Sequence, residues 1–296
     1  MEVSTQPFSS DFHDGISLHI ENRRKAENFK MTIDCLALDY DGTISPFNVS
    51  RSKSKVPEKT GAVLQKIGRL IPIVIVTTKD LSFVTARTRF AHAWSAVSGL
   101  ERKIGETIHK RRDYEHRLEN VSLAIEYAKS RITDMGVEIE EKRNISQRPI
   151  AFCVDWRRAR DVETAMKEAD NVANHCKALG LKLIRHECQP FFDVYPVSID
   201  KGVALKEMLK ELKLKNGVLY LGDSEADNPA FEISDISVGV VHEETCLQKL
   251  VCDYVVEFED VPLFLSRLLA NRLLFDSGFP MIRMNLKEIR HECIKE

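Results

Sequence analysis

Two aspartates one residue apart, Asp39 and Asp41, close a short apolar run and are followed by Gly42 and Thr43. Side chains at i and i+2 of an extended segment point the same way, so both carboxylates can serve one centre. One can attack phosphorus while its neighbour handles the leaving-group proton, with a hard cation holding the phosphate. Gly42 lets the backbone turn sharply and approach a ligand. Alone, D-x-D-G is also what a turn capping a strand looks like. Downstream, Thr77 and Thr78 close a second apolar run, Lys201 stands in Asp200-Lys201-Gly202, and Asp223 opens Asp223-Ser224-Glu225-Ala226-Asp227-Asn228. Asp39, Asp223 and a backbone carbonyl near Asp41 offer the all-oxygen set that suits Mg²⁺, with waters completing an octahedron. The Thr77 hydroxyl and the Lys201 ammonium, at a helix start, can offset phosphate charge. No thiolate or imidazole stands in these motifs to recruit zinc, and none of the nine histidines lies beside one or is given a role.

For these groups to meet, their strands must share one sheet edge. The run before Asp39 and the run Ile71-Pro72-Ile73-Val74-Ile75-Val76 are continuous apolar strands of the parallel-sheet kind. Between them Val63, Leu64, Ile67 and Leu70 recur at helical spacing, and residues 81–90 read as a further helix. This β-α-β-α alternation predicts an α/β fold with a doubly wound, Rossmann-like parallel sheet, whose strand ends collect ligands on one edge. The rhythm then changes. Leu118, Val121, Ile125, Ala128 and Ile132 mark a long helix ending before Gly136, two strands follow at 137–141 and 150–155, then a helix from Val162 to Gly180 and two more strands. The order α-β-β-α-β-β predicts an α/β cap inserted into the core. From Lys201 the first rhythm resumes, with a helix, strands at 218–222, 236–241 and 254–258, and a helix over 261–275. The expected organisation is a polar N-terminal extension over 1–31, a core of 32–98 and 197–275, a cap of 99–196, and a C-terminal tail of 276–296.

Composition narrows the classes. Hydrophobic content of 43% against 30% charged describes a globular protein with a real core. A formal net charge of −2 leaves no basic footprint for nucleic acid. No apolar run is long enough to span a bilayer, and the first thirty residues lack a signal peptide's apolar region. Seven cysteines, an odd number without a C-x-x-C pair, favour reduced thiols and a cytoplasmic location. The expected state is a monomer or small homo-oligomer without nucleic-acid or membrane partners.

The ordered set Asp39-Tyr40-Asp41-Gly42-Thr43, a Thr-ending strand, Lys201-Gly202 and Gly222-Asp223-Ser224-Glu225-Ala226-Asp227-Asn228 resembles the haloacid dehalogenase superfamily over roughly residues 33–260. The insert is similar to the cap of its sugar-phosphatase branch. Within that branch the trehalose-6-phosphate phosphatases are most alike, through Asp39 to Pro46, through Glu140-Glu141-Lys142 with the strand ending at Arg157, and through Tyr195-Pro196 leading into Lys201. Three features depart from that pattern, one being a few extra residues between Lys142 and the cap strand. Thr77-Thr78-Lys79 stands where Ser-Gly-Arg is usual, and Ser224 and Asn228 replace the usual aspartate and glutamate.

The resemblance implies an Mg²⁺-dependent phosphomonoesterase. Asp39 would be the nucleophile and a metal ligand, with Asp41 the acid and then the base, contributing to the metal site. Thr77 and Lys201 would bind phosphate, Asp223 would hold the metal, and Asp227 would orient Lys201 or a metal-bound water. It also implies a sugar phosphate as substrate, trehalose 6-phosphate first, met by Glu141, Lys142 and Arg157 on the cap. Other sugar, polyol or glycosyl-phosphoglycerate phosphates, a sugar phosphomutase and an inactive binding module are the alternatives.

Overall fold

The computed structural model describes residues 29–284 apart from 48, 134, 186–188, 244 and 246. The expected extension over 1–31 therefore lies almost wholly outside the described residues, as do residues 285–296 of the tail.

In chain order the core begins with β1 (Lys30–Thr32), β2 (Cys35–Leu38), α1 (Glu58–Ile67), β3 (Ile73–Val76), α2 (Leu81–Arg87), β4 (Ala93–Ala96), β5 (Glu101–Ile104) and β6 (Thr107–Lys110). The cap follows as α3 (Leu118–Arg131), β7 (Glu138–Arg143), β8 (Pro149–Asp155), α4 (Val162–Ala178), β9 (Lys182–Arg185) and β10 (Phe191–Tyr195). The chain returns to the core with α5 (Lys201–Glu211), β11 (Val218–Gly222), α6 (Asn228–Ile233), β12 (Ile236–Val241), β13 (Tyr254–Glu257), α7 (Val261–Ala270), β14 (Leu274–Asp276) and β15 (Ile282–Met284).

Nine strands form the core sheet in the order β15-β13-β12-β11-β2-β3-β4-β5-β6. From β13 to β4 the pairings are parallel, and β15, β5 and β6 add antiparallel edges. Every residue of β2, β3 and β11 is buried, as parallel strands covered on both faces require. Leu64 and Ile67 of α1 and Phe264, Leu265 and Leu268 of α7 fill one face. Leu205 and Met208 of α5 and Ala230 and Phe231 of α6 fill the other. From β2 the chain winds outward to β3 and β4, then crosses back through the cap and α5 to enter β11 on β2's other side. The strand order reverses at β2 and β11, which is where open α/β sheets bind ligands.

The cap is a separate antiparallel sheet, β7-β8-β10-β9, with α3 and α4 on one face. Its α-β-β-α-β-β order is the one the periodicity predicts. The boundary differs: β5 and β6, inside the expected 99–196 cap, extend the core sheet from β4, so the cap elements proper start at α3. The helix expected over 261–275 stops at Ala270, because Leu274–Asp276 pairs with Lys30–Thr32. Within the expected tail, β15 pairs with β13.

Candidate active site

The floor of the site is built at the switch point. The Asp39 backbone N–H donates to the Leu221 carbonyl at 2.9 Å, binding the end of β2 to β11. Lys201 opens α5 behind Asp200, whose side chain accepts from the Val203 N–H. The buried Lys201 Nζ lies 2.9 Å from Asp39 Oδ2 and 2.7 Å from Asp227 Oδ1. Asp227 is fully engaged: Oδ1 also accepts from the Tyr220 hydroxyl at 2.7 Å, and Oδ2 accepts from the Asp223 and Ser224 N–H groups and the Ser224 hydroxyl. Asp39, Asp223 and Asp227 present oxygens within 4.8 Å of one another. With Asp227 saturated, Asp39 and Asp223 are the carboxylates whose chemistry fits a hard, oxygen-seeking cation such as Mg²⁺.

Gly42 makes this closeness possible. It sits at φ +70°, and a Cβ there would fall 2.1 Å from Asp223 Oδ2. Burial pushes the Asp39 carboxyl well above the usual carboxylate range, reinforced by Asp227 and Asp223 and opposed by Lys201. Burial also raises Asp223, against a hydrogen bond from His242. For Lys201 burial favours the neutral amine, but Asp227 and Asp39 outweigh it and hold the ammonium charged.

Asp41 turns away from this cluster. Its Oδ1 accepts from the Ser54 hydroxyl at 3.3 Å and its Oδ2 lies 3.4 Å from Lys79 Nζ. Asp41 lines the cavity above the cluster, while its carboxylate lies outside the metal-competent trio. Thr77 is buried beneath the cavity, its Oγ1 accepting from the Lys79 N–H at 3.2 Å, and the lining there comes from Thr78 and Lys79. That loop is tied down by β4's end, where the Val97 and Ser98 N–H groups donate to the Lys79 and Thr77 carbonyls.

The cap sheet roofs a cavity of about 360 Å³, within the roughly 300–1,000 Å³ of small-ligand sites. Strand alternation decides which cap residues reach it. On β7, Glu138, Glu140 and Lys142 face the cavity. Ile139 packs with the cap helices, and Glu141 pairs with Lys129 of α3 and with Arg143. Glu141, expected at the substrate with Lys142, is therefore off the cavity because neighbours on a strand point to opposite faces. Lys142 and Arg157 do line it: Lys142 Nζ is 2.5 Å from Asp193 Oδ1, and Arg157 Nη2 is 2.5 Å from Asp155 Oδ2. Glu140 bridges cap to core, 2.7 Å from Arg51 Nη1 and 3.0 Å from Lys79 Nζ, and Arg51 also pairs with Asp80.

His242, just past β12, corrects the reading that no histidine adjoins a motif. Its Nε2 lies 3.2 Å from Asp223 Oδ2. β12 neighbours β11 in parallel register, so the two strand ends meet although 19 residues separate these side chains.

A sequence model of the family described as trehalose-phosphatase matches residues 37–247, more than half of the chain and all of the cluster. Among curated proteins none matches the sequence. Solved structures resemble the fold. A trehalose-6-phosphate phosphatase related protein aligns with TM-score 0.64 at 17% identity, covering 81% of this chain and 98% of that one. The C-terminal domain of C. albicans trehalose-6-phosphate phosphatase gives TM-score 0.64 at 17% identity, over 91% and 99%. A haloacid dehalogenase-like hydrolase from Bacteroides thetaiotaomicron gives 0.59 at 15%, over 80% and 99%.

Proposed function

The chain belongs to the trehalose-phosphatase family and is a sugar-phosphate phosphatase, and from that premise we propose that it cleaves trehalose 6-phosphate with Mg²⁺ through an aspartyl-phosphate at Asp39. The observation that carries this reading is the Asp39–Lys201 pair beside Asp223 at the switch point, under a cap-roofed cavity.

An Asp39 carboxylate oxygen attacks phosphorus in line, and the bond to the sugar oxygen breaks. Asp41, protonated, delivers its proton to the leaving alkoxide, and the sugar departs as an alcohol. Asp41 then takes a proton from water, whose oxygen attacks the phosphoryl group. The Asp39–P bond breaks, inorganic phosphate leaves and Asp41 is protonated again. Lys201, held by Asp227, neutralises phosphoryl charge and lowers the cost of bringing that charge beside two acids. Thr77 is proposed to support the phosphate side through its loop. Asp39 and Asp223, with a backbone carbonyl near Asp41, would hold Mg²⁺, which when bound compensates phosphate charge and aligns the phosphoryl group.

The cap chooses the substrate. Lys142, Arg157, Glu140 and Asp193 present the paired donors and acceptors that sugar hydroxyls require. Cap closure excludes all but the attacking water. The test is a phosphate-release screen of trehalose 6-phosphate against sucrose, hexose, polyol and glycosyl-phosphoglycerate phosphates, with Mg²⁺ and with EDTA. Trehalose 6-phosphate should be the best substrate, and EDTA should abolish release. If it turns over no faster than glucose 6-phosphate, the specific substrate is wrong.

A further inference from the structure

Asp223 is held in an unusual way for a buried carboxylate. Lys201, the nearby buried cation, hydrogen-bonds to Asp39 and Asp227. Among the described residues His242 is the side chain that hydrogen-bonds Asp223. A carboxylate that holds a cation is ionised and can only accept, so in the metal-binding form of the site His242 Nε2 is the donor of this contact. The same Oδ2 occupies the space a side chain at position 42 would need, since a Cβ on Gly42 would fall 2.1 Å from it. With one oxygen fixed, rotation about the Cβ–Cγ bond is fixed, and the direction of the second oxygen is set as well.

The imidazole is itself clamped. It stacks on the Phe47 ring with centroids 4.6 Å apart and planes 19° from parallel. Phe47 comes from the loop after Asp41, so the stack ties the loop beyond β2 to the end of β12, and the His242 hydrogen bond carries that link on to Asp223. The Arg157 guanidinium of the cap lies 5.2 Å from the Phe47 centroid and 5.3 Å from that of Phe191. The stack therefore runs from the core's acidic cluster to the cap.

We propose that His242, clamped by Phe47, is a positioning residue that orients Asp223 for the catalytic cation. This rests on the reading that Asp223 holds Mg²⁺. Residues of this kind, one shell out from a metal, typically contribute roughly 10–100-fold in metal affinity. They do so without touching substrate.

The test is calorimetric titration of the purified protein with MgCl₂, repeated with MnCl₂, and no substrate present. His242→Phe keeps a stacking ring and removes the donor, and should weaken binding about tenfold. His242→Gln retains an N–H near the Nε2 position and should bind within about twofold of wild type. Phe47→Leu keeps the donor but loosens the clamp, and should lose a few-fold; it decides the matter if His242→Phe does not fold. Unchanged affinity in folded His242→Phe, or equal losses in the Phe and Gln variants, would overturn the donor role. Asp223→Asn separates the two claims. If wild type binds the ions and Asp223→Asn does not, the metal reading stands whatever His242 does. If both bind equally, the metal reading falls and this inference with it.

Discussion

Replacing Lys201 by methionine keeps the length and the aliphatic stem of the side chain but removes its charge. The ammonium is buried between Asp39 at 2.9 Å and Asp227 at 2.7 Å, with Asp223 in the same cluster. Removing one partner of a buried pair costs about 3–5 kcal/mol. At roughly 2–4 °C per kcal/mol for a domain of this size, that is a fall of about 6–20 °C in Tm. The loss depends on pH with a definite sign. Asp39 already has a raised carboxyl in the folded state, and without Lys201 it rises further. A raised acid is tolerated when protonated, so the deficit is small while Asp39 is protonated in both folded proteins and grows as pH rises above the wild type's folded value toward the variant's higher one. Scanning calorimetry of wild type and Lys201→Met at pH 5 and pH 8 reads both quantities, and Mg²⁺ should recover part of the loss. Phosphate release should fall at least about 10²-fold, as for loss of a charge-stabilising donor. A variant with unchanged Tm at both pH values, and less than a tenfold loss of turnover, would refute this account of the cluster.

Asp39→Asn should abolish phosphate release while leaving the circular dichroism spectrum unchanged. Gly42→Ala should weaken Mg²⁺ binding in a calorimetric titration, because its Cβ would collide with Asp223 at a φ that alanine avoids. Burial favours protonation of Glu140, but Lys79, Lys142 and Arg51 together hold its carboxyl below the usual glutamate range. Its grip on the core is thus complete above the unfolded glutamate value of about 4.3 and fades as pH falls through the lower folded value. Glu140→Gln should mimic that acidification at neutral pH, seen by X-ray scattering as a larger radius of gyration and by steady-state kinetics as a raised KM.

The core strands were legible because burial on both faces forces continuous apolar runs, and because polar groups at their ends break those runs sharply at Asp39, Thr77 and Asp223. The cap order was legible from helical periodicity. The hairpin of β5 and β6 was not, since Glu101-Arg102-Lys103-Ile104 and Thr107-Ile108-His109-Lys110 are mostly polar runs without a buried apolar face, β5 half-buried behind β6 and β6 an exposed edge throughout. Acidic and basic residues fill most of β7, but a signal for its facing was present: apolar Ile139 marks the helix side, which sends Glu141 there and Glu140 to the cavity. His242 was hidden for a different reason. Its partner is fixed by the β11–β12 pairing, and only its place one residue past a parallel strand neighbouring Asp223's could have marked it. Lys79 and Arg51 likewise reach the site through tertiary contacts with Glu140 that no local pattern encodes.

The central claim is that Asp39 is the nucleophile. Rapid acid quench of the Mg²⁺-loaded protein with trehalose 6-phosphate, followed by peptide mass spectrometry, tests it directly. One phosphoryl group is expected on the peptide containing Asp39, absent from Asp39→Asn and chased by further turnover. Turnover that proceeds with no such adduct, or with the phosphoryl group on another residue, would contradict it.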